Sequence, residues 1–567
     1  MKGTVTLRKR GDYRTLKEYI AHFGVSLEKI RDWRKKSYRI DRLLEAASLI
    51  RDAARIGIPV RIIADYDVDG ITSGAGLVRI AKKAGAKDVK LCVPCRYDDG
   101  YGANPEQVKS CPDGCLLILV DNGISAFTAI LEAKKRGMTV LVLDHHQAGV
   151  GEDGHPVYPE ADVLIDPAAL PGSADWDKYC ASGLVFKLAE LMFPEDEEWL
   201  DRMCVNAMLA TIADVVELKE DNYRIVEQGI ACANTGRAFP GVLALLKEMS
   251  TETLTTEAAN YRINPVLNAP GRMLRKGARM TADLFLSDDP SKCAVLVSQM
   301  RVVNDRRKAM CDERMKVAKE VLKGRDIQTV NVVYLPDTLT GVVGLIAGRL
   351  AEEYGRTFIV VTEGNEPGVL QGSARSAGNT DIKKLLDRVR RLLVRYGGHP
   401  KAAGAALLEK DLEELDSSLN EEADLAGYHG DERKGEIPYD FSIKTNRVRG
   451  ILKALSKFHF GEGFPAPVFR IMDYRPSPVN REIFRIVGAD SVKMVGQDGV
   501  QSFGHHMAGQ IASFGQVQEL TLVGTLSWNE FNGTSSPQVS LSYAAPNEME
   551  RPDLPLIRSL AKIANKK

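Results

Sequence analysis

The chain has 567 residues, too many for a single hydrophobic core, so we expect two to four domains. Hydrophobic residues make up 44% and charged residues 27% of it, and no apolar run approaches the roughly 18–20 residues of a membrane span, which excludes a membrane protein. The net charge of zero excludes a protein that coats nucleic acid by bulk charge, but it leaves room for a local basic groove.

The predicted elements begin with a helical, basic segment over residues 1–54. Over 55–286, short apolar strands alternate with helices, which predicts a parallel, doubly wound sheet whose first helix begins at Ile71. Pro290 then opens a long amphipathic helix that connects domains over 287–325.

A second α/β domain is expected over residues 326–420, followed by a polar linker over 421–435. Short strands broken by turn residues predict a β-barrel over 436–546, with a tail over 547–567. The overall expectation is therefore an α/β multidomain protein with a C-terminal barrel.

Acidic and histidine side chains follow three of the predicted strands. These residues are Asp65, Asp67 and Asp69, then Asp121, then Asp144, His145 and His146. Because ligands bind at the carboxyl ends of parallel strands, we expect the three clusters to converge. Several carboxylates in one cleft cannot all stay ionised without a cation, which predicts two divalent metal ions. Oxygen and imidazole ligands together suit Mn²⁺, Mg²⁺ or Zn²⁺.

The acidic and histidine residues also admit alternatives to a two-metal site. Residues 65–70 match the start of a calcium-binding EF-hand loop, but the twelfth loop position is glycine where glutamate is required. A helix-capping turn would account for one aspartate and not three. Asp214 lies in an apolar stretch, where a metal ligand and a buried ion pair are equally open. His505 and His506 lack strand-end aspartates and are expected to be an ordinary surface pair.

Arginine and histidine side chains stand beside small residues at four places, namely Arg96, Arg272, Arg375 and His399. Small neighbours let a phosphate approach such side chains closely, although glycine is equally expected in ordinary turns. Two basic stretches, 301–308 and 388–395, are candidates for nucleic-acid contact. The alternative is a solvent-exposed helix face, which is where runs of charged residues usually lie.

The cysteines bear on metal binding and on the compartment. Cys92 and Cys95, together with Cys111 and Cys115, have a spacing that a zinc site would accept, but Cys92 falls inside a predicted strand. The chain has nine cysteines, an odd count without a regular framework, which indicates a reducing cytoplasm.

In combination, these motifs resemble the DHH phosphoesterase superfamily and, within it, the RecJ family of single-strand-specific exonucleases. The resemblance extends over about residues 55–545 and rests on segments 65–73, 96–102, 121–123, 144–146, 211–216, 268–272, 341–344, 372–376, 397–404 and 460–469. Ala64, Pro270 and Phe464 depart from the usual family residues. Ile63 stands where phosphodiesterases of short oligonucleotides often have histidine, which favours the exonuclease branch.

The resemblance implies a catalytic DHH domain, a DHHA1-like companion domain and a C-terminal OB-fold. It implies a 5′-to-3′ exonuclease that degrades single-stranded DNA to 5′-mononucleotides in repair and recombination, with two Mn²⁺ or Mg²⁺ ions. The expected metal ligands are Asp67, Asp69, Asp121, His145 and Asp214. Asp65 and Asp144 are expected to ligate or orient, and His146 to ligate or to donate to the scissile phosphate. The expected substrate contacts are Arg96, Tyr101, Asn268, Arg272, Ser373, Arg375 and His399.

The barrel offers Trp528, Phe531 and Tyr543 as candidate stacking residues for single-stranded DNA, with packing in the barrel core as the alternative. A single-strand-binding protein and a helicase are candidate partners, and a cytoplasmic monomer is expected. Two other functions stay open: a phosphodiesterase for short oligonucleotides or cyclic dinucleotides, and a non-catalytic DNA-binding scaffold. The barrel argues against the first, and the complete set of motif aspartates argues against the second. A manganese-dependent pyrophosphatase is a more distant alternative.

Overall fold

The computed structural model describes residues 5–97, 102–151, 153–431, 435–478, 483–488, 490–515, 517–531 and 534–547. The predicted substrate contact Tyr101, the side chain of Phe531 and the tail beyond residue 547 lie outside the described residues. None of the described helices is both long and apolar enough to cross a bilayer.

The N-terminal segment and the first α/β region contain eight strands and six helices in the described residues. In chain order they are β1 (Thr6–Lys9), α1 (Leu16–His22), α2 (Leu27–Lys35), α3 (Leu43–Ile56), β2 (Val60–Ala64), α4 (Val68–Lys83), β3 (Val89–Cys92), α5 (Pro105–Lys109), β4 (Leu116–Val120), α6 (Phe127–Lys135), β5 (Thr139–Leu143), β6 (Gly149–Val150), β7 (Pro156–Val157) and β8 (Val163–Ile165).

The first α/β region has a five-stranded sheet in the order β3-β2-β4-β5-β8. All of its neighbouring strands pair in parallel, so the predicted doubly wound sheet is confirmed. Every residue of β2 and β4 is buried, which explains their continuous apolar sequences. The helix after β2 begins at Val68 and not at the predicted Ile71, because the Asp67 side chain accepts a hydrogen bond from the Gly70 amide at 3.1 Å.

A helical region follows, with α7 (Ala181–Met192), α8 (Glu197–Ala213), α9 (Glu220–Asn234), α10 (Pro240–Glu248), α11 (Thr256–Ala258), a π-helical turn (Ala259–Ile263), α12 (Asn264–Met273), α13 (Gly277–Leu286) and α14 (Pro290–Leu322). The predicted long connecting helix is confirmed as α14, which spans 33 residues. Its buried residues, such as Cys293, Val297 and Met300, recur every three or four positions, so one face of the helix packs on the protein.

The second α/β region contains β9 (Val330–Tyr334), α15 (Thr340–Tyr354), β10 (Thr357–Glu363), β11 (Val369–Arg375), α16 (Ile382–Arg388), β12 (Arg395–His399), β13 (Ala402–Leu408) and α17 (Leu412–Leu425). Its sheet has the order β12-β13-β11-β10-β9, and only β9 and β10 pair in parallel. The linker predicted from residue 421 begins too early, because α17 continues to Leu425 and buries Leu415, Leu419 and Ala423.

The C-terminal region contains β14 (Glu436–Tyr439), β15 (Phe441–Ile443), α18 (Val448–Leu455), β16 (Phe469–Tyr474), β17 (Arg485–Val487), β18 (Ser491–Val495), β19 (Gln501–Gly504), α19 (Ala508–Ala512), β20 (Leu520–Phe531) and β21 (Thr534–Pro546). Seven of these strands form one sheet in the order β15-β16-β20-β21-β19-β18-β17. This is the OB-type domain of the expected fold.

The N-terminal segment joins the first and last parts of the chain. The predicted helices are present, but the segment also contains the strand β1, which pairs in parallel with β14, more than 400 residues away. Tyr19 packs against Phe441 with ring centroids 5.9 Å apart, and Phe23 packs against Phe464 at 6.3 Å. These residues belong to one hydrophobic core that also includes the first sheet. The C-terminal sheet is therefore fixed to the first α/β region and is not a loosely tethered module.

We predict that Arg10→Ala destabilises the protein by about 2–3 kcal/mol. Asp440 is 1% exposed, and its Oδ1 accepts a hydrogen bond from Arg10 Nε at 3.0 Å, so the substitution leaves a buried carboxylate without its cation. The measurement is urea unfolding of both proteins. Arg8→Ala is the matched control, because the Arg8–Glu436 pair is exposed and should contribute less than about 1 kcal/mol. Equal losses in the two variants would contradict the prediction.

Candidate active site

The predicted clusters converge at the carboxyl ends of β2, β4 and β5. Three groups of side chains could each hold a cation, with ligand atoms within 4.8 Å of one another. The groups are Asp65, Asp67 and Asp121; Asp69, His145 and Asp214; and Asp121, His145 and His146. His145 belongs to two of these groups, and its Nε2 atom lies 3.1 Å from Asp121 Oδ1 and 3.6 Å from an oxygen of Asp69 and of Asp214.

Asp69 is held by a helix from outside its own strand–helix unit. Its two carboxylate oxygens accept hydrogen bonds from the Ala181 and Ser182 amides, at 2.7 and 2.8 Å. These amides belong to the first turn of α7, where unpaired N–H groups and the helix dipole favour an anion. The carboxylate is therefore oriented before any ligand binds.

Two site residues depend on left-handed backbone. Asp121 itself has φ of 60°, which aspartate tolerates better than most residues. Asp214 caps the C-terminus of α8, and the next residue, Val215, has φ of 56° although it is β-branched. Such strain costs about 1–3 kcal/mol and concentrates at functional sites. The turn after it is held by the C-terminal region, since the Leu218 amide donates to Glu462 O at 2.8 Å.

The buried carboxylates resist ionisation together. Burial, and then the charge of Asp67, raise the pKa of Asp65 to about 8 and that of Asp69 to about 7. Burial and the neighbouring aspartates raise the pKa of Asp121 and Asp214 well above the usual carboxyl range. Without a cation, the centre must therefore hold protons near neutral pH.

The two histidines are set to opposite charge states. Burial lowers the pKa of His145 to about 3, which leaves a neutral imidazole that can ligate a metal. Burial also opposes protonation of His146, but the hydrogen bond and charge of Asp144 raise its pKa to about 9. Asp144 Oδ1 lies 2.8 Å from His146 Nδ1, and its Oδ2 accepts the Ile124 amide at 2.9 Å. Asp144 thus orients His146 and is absent from the three candidate ligand groups.

These donors fit a pair of hard divalent cations. They are carboxylate oxygens with imidazole nitrogen. This ligand set suits Mn²⁺ or Mg²⁺ better than a soft metal ion that prefers thiolate ligands. Asp65 Oδ1 is buried and lacks a hydrogen-bond partner among the described residues, so a cation would satisfy it. The four cysteines considered for zinc belong to none of the candidate groups found in the described chain. Burial raises the pKa of Cys115 to about 11, which disfavours its thiolate.

Arginines from both α/β regions surround the acidic centre. The Arg96 guanidinium lies 3.9 Å from the ring centroid of Tyr66. Arg272 donates to Gly341 O at 3.3 Å, and Arg375 donates to Ser373 Oγ at 2.8 Å. Burial, and then the charge of Arg96, lower the pKa of Arg272 to about 10, which indicates a crowded, desolvated group of cations.

The second α/β region approaches the metal ligands directly. The ring of His399 stacks near that of His146, with centroids 6.4 Å apart and an interplanar angle of 17°. Gly341 allows α15 to begin against the end of α12, because a Cβ there would clash with the backbone oxygen of Arg272. The site is therefore a cleft between two regions, acidic on one side and cationic on the other.

Other predicted residues lie in different surroundings. Asn268 is half-buried on α12. Trp528 is 36% exposed on β20, and Tyr543 is half-buried on β21. In the basic stretch 388–395, Arg388 and Arg391 form ion pairs with acidic residues, as a solvated face would.

The sequence reasoning missed one acidic residue at the same sheet edge. Asp166 directly follows β8, is 1% exposed and accepts the Ala169 amide at 2.9 Å. Burial, and then the charge of Asp144, raise its pKa to about 7. The pattern of a short apolar run followed by aspartate would have found it, because β8 has the same form as β2, β4 and β5.

Three family models match the chain. They are the DHH family, N-terminal domain, over residues 59–212, the DHHA1 domain over 328–424, and the RecJ OB domain over 439–543. The single-stranded-DNA-specific exonuclease RecJ of Dickeya dadantii is 28% identical over 542 residues, which cover 89% of this chain and 90% of that protein. RecJ of Bacillus subtilis is also 28% identical, over 91% of this chain but only 65% of its own length, just under two thirds.

A solved structure agrees with these matches. RecJ of Thermus thermophilus in complex with Mn²⁺ superposes with a TM-score of 0.74 at 25% identity, and covers 97% of this chain and 81% of that one. The three domain matches follow one another in the order in which the sheets occur here. The chain thus matches the DHH, DHHA1 and RecJ OB family models in succession, and over most of its length it is similar to the RecJ exonucleases.

Proposed function

We propose that this protein is a metal-dependent exonuclease that degrades single-stranded DNA from its 5′ end to 5′-mononucleotides, in DNA repair and recombination. The observation that carries the proposal is the cleft in which the aspartate–histidine centre faces Arg96, Arg272 and Arg375. A phosphodiester needs both sides of such a cleft: a centre that activates water, and cations that hold the phosphate. The names of the relatives support single-stranded DNA as the substrate.

The acidic side of the cleft would hold two divalent cations, Mn²⁺ or Mg²⁺. When bound, such a pair activates a water molecule and stabilises the leaving oxygen of a phosphodiester. The proposed ligands are Asp67, Asp69, Asp121, His145 and Asp214, with Asp65 beside them. His146, kept protonated by Asp144, donates a hydrogen bond towards the scissile phosphate as negative charge builds on it.

The cationic side would bind the 5′ end of the strand. Arg96, Arg272 and Arg375 are each half-buried, so water only partly screens their charges from a bound phosphate. Ser373 and His399 add hydrogen-bond donors from the second α/β region. Asn268 and Tyr101 are proposed as further contacts from the family resemblance alone.

A phosphodiesterase for short oligonucleotides is the second candidate function. The same metal centre and arginines would cleave short oligonucleotides. The two candidate functions differ only in whether the substrate also contacts the C-terminal sheet. That sheet shares a core with the first α/β region, so it lies fixed beside the cleft. A dinucleotide needs no such extended surface, which favours long single strands as the substrate.

We further propose a cytoplasmic protein that acts as a monomer, with a single-strand-binding protein and a helicase as candidate partners. The odd count of nine cysteines without a regular framework supports a reducing compartment. Size-exclusion chromatography with light scattering would test the monomer.

A long single strand, labelled in turn at each end, tests the proposed function with Mn²⁺ present. Immediate release of labelled mononucleotide from the 5′ end, with a blunt duplex spared, is the expected result. Cleavage confined to di- to pentanucleotides would favour the second candidate function, and release from the 3′ end would overturn the proposed polarity.

We predict that Asp121→Asn lowers cleavage at least about a hundredfold while DNA binding changes little, because the loss removes a charge from the metal centre. Asparagine tolerates the left-handed backbone at this position, so the effect reports on charge and not on strain. Single-turnover cleavage and fluorescence anisotropy measure the two properties. Asp52→Asn, in an exposed pair with Arg55, is the control. Cleavage near the wild-type rate would refute the assignment of Asp121.

We predict that the metal-free protein loses stability as pH rises from 6.5 to 8.5. The pKa values of Asp65 (about 8) and Asp69 (about 7) exceed the unfolded value of 3.8, so the folded state binds more protons in this window. That stabilisation is complete below pH 3.8 and is lost as pH rises through the folded pKa values. His146, whose pKa is raised to about 9, changes stability in the same direction.

Thermal unfolding with and without Mn²⁺ measures this effect. Cations replace the protons, so the increase in Tm on adding Mn²⁺ should grow by about 2–4 °C between pH 6.5 and 8.5. An increase in Tm that is independent of pH, or that shrinks, would show that these carboxylates are not the metal ligands.

A further inference from the structure

One helical segment connects the C-terminal sheet to the active-site cleft. It comprises α11, the π-helical turn and α12, and runs without interruption from Thr256 to Met273. At its beginning, Ser540 Oγ of β21 donates to Glu257 Oε1 at 3.4 Å. Near its end, Arg272 reaches the cation group of the cleft. The segment therefore spans the distance between the two regions.

The exposed side chains of the segment form one stripe. Between positions 261 and 272, Tyr261, Arg262, Pro265, Asn268 and Arg272 retain exposure, and the other residues are buried. The spacing of four, three and four residues from Tyr261 to Arg272 places these side chains on one helix face. Tyr261 therefore faces the same side as the arginine of the active site.

Tyr261 is unusually open for an aromatic residue, with 73% of its surface exposed. Single exposed apolar residues are common on protein surfaces, so exposure alone does not indicate a function. The position of Tyr261 in the helix is the second observation. It lies in the π-helical turn Ala259–Ile263, and such turns recur at functional sites because they redirect side chains. Its neighbour Arg262 donates to Met249 O at 2.5 Å, which anchors the turn and leaves the tyrosine ring outside.

We propose that Tyr261 is a base-stacking residue for single-stranded DNA, on the 3′ side of the scissile phosphodiester. The inference rests on the proposed nuclease function and adds a binding subsite to it. Eleven residues of helix separate Tyr261 from Arg272, which corresponds to about 16 Å. That length equals about five nucleotide steps at the duplex spacing of about 3.4 Å, and fewer in a stretched strand. An aromatic face binds any base, so the subsite holds the strand without selecting its sequence.

Tyr261→Ala and Tyr261→Phe test the proposal, with a series of single strands that each lack one base between the second and seventh nucleotides from the 5′ end. The wild-type KM should rise at one position of the missing base, about three to five nucleotides from the end. Tyr261→Ala should raise the KM for the intact strand about tenfold and abolish the dependence on that position. Tyr261→Phe should behave like the wild type, because it keeps the aromatic face.

Controls separate this inference from the proposed function. Leu425→Ala, at an exposed position on α17, should leave the KM unchanged. Cleavage of a dinucleotide should be the same in Tyr261→Ala and the wild type, because so short a substrate does not reach the subsite. A wild-type KM for long strands in Tyr261→Ala would overturn the stacking role. Absence of 5′-end release by the wild-type protein would instead overturn the proposed function.

Discussion

Electrostatic repulsion among buried aspartates is the constraint on which the rest of this structure depends. Asp65 and Asp121 directly follow adjacent strands and Asp69 lies in the first turn of α4, each less than 5% exposed. Placing several like charges in a poorly solvated cleft is costly unless protons, cations or hydrogen-bond donors compensate. The first turn of α7 compensates Asp69, His145 lies among three carboxylates, and divalent cations would compensate the rest.

The same constraint explains why the histidines differ. His145 is neutral because burial outweighs its carboxylate neighbours, whereas His146 is charged because the hydrogen bond and charge of Asp144, 2.8 Å from its Nδ1, outweigh burial. One sequence pair, His145-His146, thus yields one neutral and one protonated imidazole. The difference in protonation comes from the surroundings of each ring, because both residues are histidines with the same ordinary pKa.

Rigid connections between distant parts of the chain fix the C-terminal region to the first α/β region. The N-terminal segment pairs with β14, and its aromatic residues share a core with the C-terminal sheet. The turn after Asp214 is likewise bonded to residue Glu462 of the C-terminal region. Strain at Val215 persists because these contacts on both sides determine the backbone there. The C-terminal sheet and the helix end at Asp214 therefore belong to one rigidly connected part of the protein.

The sequence by itself determined the parallel sheet, the long helix α14 and the convergence of Asp65, Asp121 and His145. Those features follow from local patterns: continuous apolar runs form buried strands, and the chain leaves parallel strands at a common edge. The same pattern, an apolar run followed by an aspartate, also predicts Asp166.

Only the tertiary structure decided the partners that come from remote parts of the chain. No local pattern could pair β1 with β14, place His399 beside His146, or put Tyr261 on the face that leads to Arg272. The protonation states of the aspartates and histidines also belong to this class. They depend on desolvation and on charges brought together by folding, and neither quantity exists in the extended chain.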